Sequence, residues 1–421
     1  MQRTVLIAAT TWWPLSAQLA ISLVRHGCVV EALCPPGHPL RYVSGVRRYH
    51  LYRRVGSLDA LRRAMVAARP EIVIPCDDSV VWQLHQLYRE QPELRALIER
   101  SLGSAAHFEA AASREQLQQV ARALHIRVPR TERAKTHDDL RPWFEQAEAT
   151  VVMKQDGTWG GNGVHVVRSM KEAEVRLAQM LRPVPLSIAC KRAFINHDPN
   201  ALWSYRNRKE PVVTLQQFIR GRPATLMMAC WQGTVLATVT AEVLWSQGAT
   251  GAAVVVRLID HPEMAQAACR LAKKLELSGF HGLDFMLEAE TGAAYLIELN
   301  PRSTQLGHLP MAGRGDLAGA LSQKLDAASP TAAEQRAGLS EGETVAFFTK
   351  ALFWNPKNRD LSEGYHDAPW EEPALLQELL KESWPNRQWP ARLYHWLRPP
   401  REGQAEGYEE KTPDHSPPIS R

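Results

Sequence analysis

No stretch of the chain reaches the roughly 18–20 unbroken apolar residues that a membrane-spanning helix requires. The opening segment, MQRTVLIAATTWWPLSAQLA, sets a basic residue before apolar ones, but Thr10, Thr11 and Pro14 break the run and no small-residue cleavage site follows. It reads as a buried strand and a following helix rather than as a signal peptide. Cysteine is scarce: the six are Cys28, Cys34, Cys76, Cys190, Cys230 and Cys269, and no pair has the close spacing of a zinc site or redox motif. A small disulfide scaffold is excluded, and buried thiols in a reducing, cytoplasmic setting are expected. Charge of one sign is scarce too. Fifty basic and 45 acidic residues leave +5 spread along the chain, with no concentrated basic stripe, so neither nucleic acid nor membrane is an expected partner. That mild surplus suits a pocket for anions such as nucleotide phosphates. The first strand is not followed by GxGxxG, so a dinucleotide fingerprint is missing. No internal duplication is visible at any period.

What is present is a globular composition, 45% hydrophobic and 23% charged. At roughly 150 residues per domain, 421 residues suggest two to three domains. Residues 1 to about 105 alternate strand-like and helix-like stretches: Thr4 to Ala9, then Ser16 to Arg25 closed by Gly27, then Cys28 to Cys34. Tyr49 to Tyr52 is a candidate third strand. A helix from Ser57, itself the expected N-cap, to Ala68 precedes the strand Glu71 to Pro75. Units of this kind argue for a parallel sheet with helices on its faces, and a ligand crevice lies at the carboxyl ends of such strands. Thr10, Thr11, Trp12 and the pair Asp77–Asp78 are candidates there, although helix capping is the plainer role for the two aspartates. Residues 106–147 read as a helical linker in which Pro129 ends one helix, and Val345 to Trp354 reads as one strand. The tryptophans near the end, Trp370, Trp384, Trp389 and Trp396, are expected to pack in a core or interface. The polar stretch 401–421 is expected to be a disordered tail.

Three elements between about 148 and 305 carry chemistry. In VVMKQDGTWGGNGVHVV, residues 151–167, two β-branched runs flank a glycine-rich turn. Gly157, Gly160, Gly161 and Gly163 let backbone N–H groups cluster around an anion, and Lys154 on the incoming strand reaches a phosphate as a point charge. The lysine precedes the glycines, unlike the P-loop GxxxxGK[ST], and a plain mobile hairpin remains an alternative. In FHGLDFMLEAETGAAYLIELNPR, residues 280–302, two strands are joined by a turn at Thr291 and Gly292. Asp284 and Glu298 lie about seven residues either side of Thr291 and therefore face each other, with Asn300 on the same side as Glu298. Two carboxylates and an amide oxygen suit a hard cation that bridges phosphates, whereas a salt-bridged strand pair is the plainer alternative, with Arg302 a partner or a substrate clamp. In VVTLQQFIRGRPATL, residues 212–226, a strand runs through Gln216, Gln217, Phe218 and Ile219 to a turn at Gly221. It is either an ordinary strand–turn–strand or a stretch between two lobes offering backbone groups to a planar base.

The order and spacing of these elements resemble the ATP-grasp superfamily, and its carbamoyl-phosphate-synthase-like and amino-acid-ligase-like members in particular. The resemblance rests on Lys154 before its glycine loop, the Gln216–Ile219 stretch, Asp284, and the E-x-N-P-R run Glu298-Leu299-Asn300-Pro301-Arg302, and it spans roughly residues 1–325. It implies a mixed α/β and α+β architecture. A Rossmann-like domain over 1–105 would precede a two-lobed ATP-grasp fold over 106–330, with a lid at about 148–218 and a C-terminal extension over 331–400. It implies ATP with Mg2+, or Mn2+ in its place, held by Asp284, Glu298 and Asn300. Lys154 would meet the α-phosphate, the loop Gly157–Gly163 would close over the β- and γ-phosphates, Gln216, Gln217 and Ile219 would surround adenine, and Arg302 would act on the phosphoryl group or a carboxylate. Lys154 and Arg302 would be catalytic. The chain differs from many members in having Ser113-Arg114 for Asp-Lys, so that Arg114 replaces a phosphate-binding lysine, in Gln216-Gln217 where a glutamate is usual, and in Arg222-Pro223-Ala224 after Gly221. The implied activity is ligation of a small carboxylic acid to an amine through an acyl phosphate, in a chain of a family where homodimers are common. A non-catalytic nucleotide-binding protein on the same fold is the alternative. His165, His281 and His308 are expected to be structural, and Arg206, Asn207, Arg208 and Lys209 to form a solvated loop.

Overall fold

The computed structural model describes residues 3–53, 56–145, 149–155, 163–182, 185–186, 190, 211–247, 251–312, 316–326, 338–354, 363–389 and 391–393. Strand β1 (Thr4–Ala8) is buried along its whole length, as an apolar run must be when both faces of a parallel sheet are covered. Four parallel strands follow the order β3 (Val46–Leu51), β2 (Val29–Cys34), β1, β4 (Ile72–Pro75). Helix α1 (Leu15–Arg25) joins β1 to β2, a short 3-10 turn (Pro39–Tyr42) joins β2 to β3, α2 (Ser57–Ala68) joins β3 to β4, and α3 (Asp78–Glu90) follows β4. The third strand thus begins before Tyr49. Arg47 and Arg48 are exposed on this edge strand and hide its start from a reading based on apolar runs. Ser57 is the first helical residue rather than the cap. Gly56 takes the cap position at φ 71, a left-handed backbone that glycine adopts without a Cβ penalty.

Helices α4 (Arg95–Leu102), α5 (Phe108–Ala112) and α6 (Arg114–Ala123) follow. α6 stops well before Pro129: Leu124 caps it and His125, at φ 54, turns the chain away. Strands β5 (Thr131–Ala134), β6 (Val151–Gln155), β7 (Val164–Val167) and β8 (Val213–Gln217) form an antiparallel sheet in the order β5-β8-β6-β7, covered by α7 (Met170–Met180). The chain then crosses into a seven-stranded sheet. Its order is β13 (Ala294–Asn300), β12 (Gly279–Glu288), β9 (Gly221–Trp231), β10 (Thr234–Ser246), β11 (Ala253–Leu258), β14 (Thr344–Ala346), β15 (Tyr365–His366). At the crossing, a Cβ on Gly221 would run into the Leu287 carbonyl oxygen, so the close approach of β9 to β12 requires glycine. The amphipathic helix α8 (Pro262–Leu275) buries Met264, Ala267, Leu271 and Leu275 against this sheet.

The end of the chain departs from expectation. Strand β14 covers only Thr344–Ala346, and helix α10 (Lys350–Trp354) follows, not a continuing strand. The amides of Ala351 and Phe353 reach back to the carbonyls of Phe347 and Thr349, while Asp367 captures the Phe348 amide that would otherwise seek a strand partner. Leu375 and Leu379 of α11 (Pro373–Leu379) join the same apolar cluster as β1 and α9 (Leu317–Leu325). Trp370 and Trp389 are exposed, outside any core, and Trp396 and the stretch 401–421 lie outside the described residues. All six cysteines are free; Cys28, Cys34, Cys76 and Cys230 are buried as expected, but Cys269 is exposed and Cys190 half-buried. Among the described residues no helix is long and apolar enough to cross a membrane.

Candidate functional site

Strands β12 and β13 pair so that Asp284 stands directly opposite Glu298, and Gly282 opposite Asn300. The Thr291–Gly292 turn sets the pairing of Phe285–Leu287 with Ala294–Leu296, and a one-residue shift between Asp284 and Phe285 then brings Asp284 opposite Glu298. Like charges opposed at about 5 Å repel by roughly 3 kcal/mol at an effective dielectric near 20. Burial first and the Glu298 charge second push the Asp284 carboxyl above its ordinary range, while donation from Thr225 and Asn300 pulls it back. Asn300 Nδ2 donates to Asp284 Oδ2 at 2.9 Å. No group of three His, Cys, Asp or Glu forms among the described residues. The donor set here is two carboxylates and one amide.

Arg114 spans the two antiparallel sheets. One guanidinium nitrogen donates to Gln155 O at 3.4 Å, and another to both carboxylate oxygens of Glu298 at 3.4 Å each. These are loose contacts, long enough to exchange for a ligand oxygen. Ser113 positions this arginine: its hydroxyl caps α6 by accepting from Gln116 N at 3.4 Å. Arg302 does not pair with the Asp284–Glu298 face. Its Nε donates to Asp78 Oδ1 at 2.8 Å and its Nη2 to Asn300 Oδ1 at 3.2 Å. The amide of Asn300 is therefore held at both ends, nitrogen toward Asp284 and oxygen toward Arg302.

Asp77 and Asp78 do more than cap α3. Half-buried Asp77 accepts from Val80 N at 3.0 Å, but also from Thr10 N at 2.6 Å and Thr11 N at 3.2 Å, which clamps the loop after β1. Ser303 N donates to Pro75 O at 2.9 Å, so the parallel sheet and the E-x-N-P-R run meet at the carboxyl end of β4. Sequence reasoning ranked this pair as capping residues; acidic neighbours at the end of a parallel strand were the available signal.

Lys154 is buried on β6, between β7 and β8, where it pairs with Val164 and Thr214. Gly163, at φ 82, accepts from Gln155 N at 2.9 Å and immediately precedes β7. Gly157, Gly160 and Gly161 lie outside the described residues, as does the run 206–209. Gln216 is buried and its Nε2 donates to Thr131 Oγ1 at 3.3 Å. Gln217 ties itself to Arg130 through both backbone and side chain. The backbone of Phe218 and of buried Ile219 lies outside both sheet ladders. Arg222, unusual after this glycine, pairs at 3.0 Å with Glu242, which also meets Arg257 at 3.2 Å. His281 is buried with its Nε2 2.8 Å from Ser278 O, and desolvation pulls it down to about 4, so it is a neutral structural residue.

Two antiparallel sheets beside a parallel α/β unit are the architecture of the ATP-grasp fold. Residues 187–305 match the family model for an ATP-grasp domain. Many solved structures share the fold, among them the following three. The L-amino acid ligase of Bacillus licheniformis is 14% identical, with 77% of this chain and 74% of that one covered at a TM-score of 0.50. The carboxyaminoimidazole ribonucleotide synthase of Aspergillus clavatus, solved with ATP, is 17% identical, with 78% of each chain covered at 0.52. The biotin carboxylase domain of Hydrogenobacter thermophilus 2-oxoglutarate carboxylase, solved with MgADP, ADP and bicarbonate, is 14% identical, with 79% of this chain and 71% of that one covered at 0.55. No curated protein sequence matches the chain.

Proposed function

We propose that the chain is an ATP-dependent carboxylate–amine ligase that activates a small acid as an acyl phosphate and passes the acyl group to an amine. The observation that carries this reading is the opposed pair Asp284–Glu298 with Asn300 bonded beside it and Arg114 reaching Glu298 from α6. Structures of the same fold hold ATP or MgADP. The oxygen set fits Mg2+ or Mn2+: a divalent cation would relieve the repulsion that burial makes costly at Asp284. Such an ion, when bound, neutralises charge on the triphosphate and aligns its terminal phosphoryl group.

The residues then divide the work. Glu298 would hold the ion in place of its loose contact with Arg114, whose guanidinium would then be free for phosphate oxygens. Asn300 would offer its oxygen to the ion in place of Arg302, and the Arg302 fork would be free for the phosphoryl group or the substrate carboxylate. Lys154 would supply a point charge from β6, and the Gly157–Gly163 loop would cover the phosphates and keep water from the acyl phosphate. Gln216 and Gln217 would border the adenine, with backbone contact from Phe218 and Ile219, since the Gln216 and Gln217 ladders are already filled. Catalysis of this kind is positioning and charge neutralisation.

A screen of amino acids, singly and in pairs, with ATP and Mg2+ tests the reading by ADP release. Release that needs an acid and an amine together supports it. Binding of ATP without ADP production across a broad panel of acids and amines would instead make the chain a nucleotide-binding protein without ligase activity.

A further inference from the structure

Beyond Arg302, the carboxyl ends of β1 and β4 lead to side chains that the ligase reading leaves unassigned. The loop after β1 carries Trp12 and Trp13. The Lys350 ammonium, brought in by α10 from the C-terminal segment, sits 4.6 Å over the Trp13 ring. The anion that acts on it is Asp367, which is already engaged: one carboxylate oxygen accepts from Phe348 N and the other pairs with His308 Nε2 at 3.2 Å. Among the described residues Lys350 makes no hydrogen bond or ion pair, and the buried indole Nε1 of Trp12 has no acceptor. A buried donor without an acceptor is unfavourable, and a desolvated ammonium more so. Desolvation accordingly draws Lys350 down to about 8, with Asp367 opposing.

This corner is wired to the candidate centre. Thr10 and Thr11, beside the two tryptophans, are held by Asp77; its neighbour Asp78 takes Arg302, and Arg302 holds Asn300. We propose that Lys350, with Trp12 and Trp13, forms a subsite for a carboxylate that the substrate carries away from the reacting carbonyl. The proposal rests on the ligase reading and names the substrate class it favours: an acid or an amine bearing a second, free carboxylate. The ammonium would gain the anion it lacks, the indole N–H an acceptor, and the aromatic faces would cover the carbon chain. Because Lys350 lies beyond the residues matched to the ATP-grasp domain, this chain's C-terminal segment sets the specificity.

Isothermal titration of the full chain with MgADP present tests it. The ligands are the common L-amino acids, each beside its carboxamide, and succinate and glutarate, each beside its monoamide. The amino-acid pairs report a carboxylate on the amine component and the dicarboxylate pairs one on the acid. Wild-type protein is expected to bind at least one acid roughly ten- to a hundredfold tighter than its amide, as one charge-assisted hydrogen bond implies. Lys350→Met abolishes that preference and Lys350→Arg restores part of it, while the thermal shift produced by MgATP stays unchanged in both. Equal affinity for every acid and its amide in the wild type overturns the proposal whatever the variants do, and so does a preference that survives in Lys350→Met. Loss of the MgATP shift in wild-type protein, with the acid preference intact and Lys350-dependent, would fell the ligase reading and leave the subsite standing.

Discussion

Asp284 shows how much of this molecule is decided one side chain at a time. A carboxyl raised by burial and by Glu298 binds protons more readily in the folded chain than in the unfolded one, so at neutral pH it is a source of instability. Asp284→Asn keeps the shape and removes the repulsion. It is expected to raise ligand-free stability by about 1 kcal/mol, read as a higher midpoint in denaturant, while abolishing substrate-dependent ADP release. A lower midpoint would mean that Asp284 is held by a partner other than Thr225 and Asn300. Glu298→Gln and Lys154→Ala are expected to lower ADP release by at least about a hundredfold each, with the fold intact by circular dichroism. Turnover near wild type in either variant removes that residue from the site. The opposition of residues 284 and 298 follows from their equal distance from the Thr291 turn, but it is realised only through a one-residue register shift beside Asp284 that the sequence does not announce. The destinations of Arg114 and Arg302 were not legible in the sequence, since a flexible, many-donor side chain chooses its partner among residues that folding brings near.

At the level of elements, the crossing between the two antiparallel sheets is the critical joint. β8 and β9 are nearly consecutive in sequence yet belong to different sheets, and Gly221 permits the second to lie against β12. Gly221→Ala forces a methyl group against backbone that cannot move without disturbing the β9–β12 ladder. A loss of roughly 1–3 kcal/mol in stability is expected, measured by chemical denaturation, together with weaker binding of MgATP. Unchanged stability would show that the joint has room the structure does not display. The hairpin character of residues 151–167 followed from β-branched runs around a glycine-rich turn, and that of 280–302 from two apolar strands around a turn at Thr291 and Gly292. The short β14 and the helix after it did not, because the apolar run Val345 to Trp354 suits either state, and the capture of the Phe348 amide by Asp367 decides between them.

For the molecule as a whole, buried histidines set the response to acid. His38 is drawn down to about 3 and His281 to about 4, both chiefly by desolvation. Their unfolded counterparts titrate near 6.5, so below that pH the unfolded chain binds more protons and stability falls with falling pH. The melting temperature is expected to decline steadily from pH 6.5 to pH 4, with His38 still contributing below that, and His281→Gln should flatten the upper part of the slope. A melting temperature independent of pH across that window would contradict the neutral, buried state of both imidazoles.

Local chemistry was enough to settle the alternation of strands and helices in the first hundred residues, the two hairpins, and the equal distance of Asp284 and Glu298 from the Thr291 turn. These depend on periodicity, on turn residues and on neighbours a few positions apart. Packing alone decided that Arg114 reaches across to Glu298, that Asp78 meets Arg302, and that Lys350 comes to rest on Trp13. Such pairings join residues separated by 184, 224 and more than 300 positions, and only the closure of the sheets against one another brings them within reach.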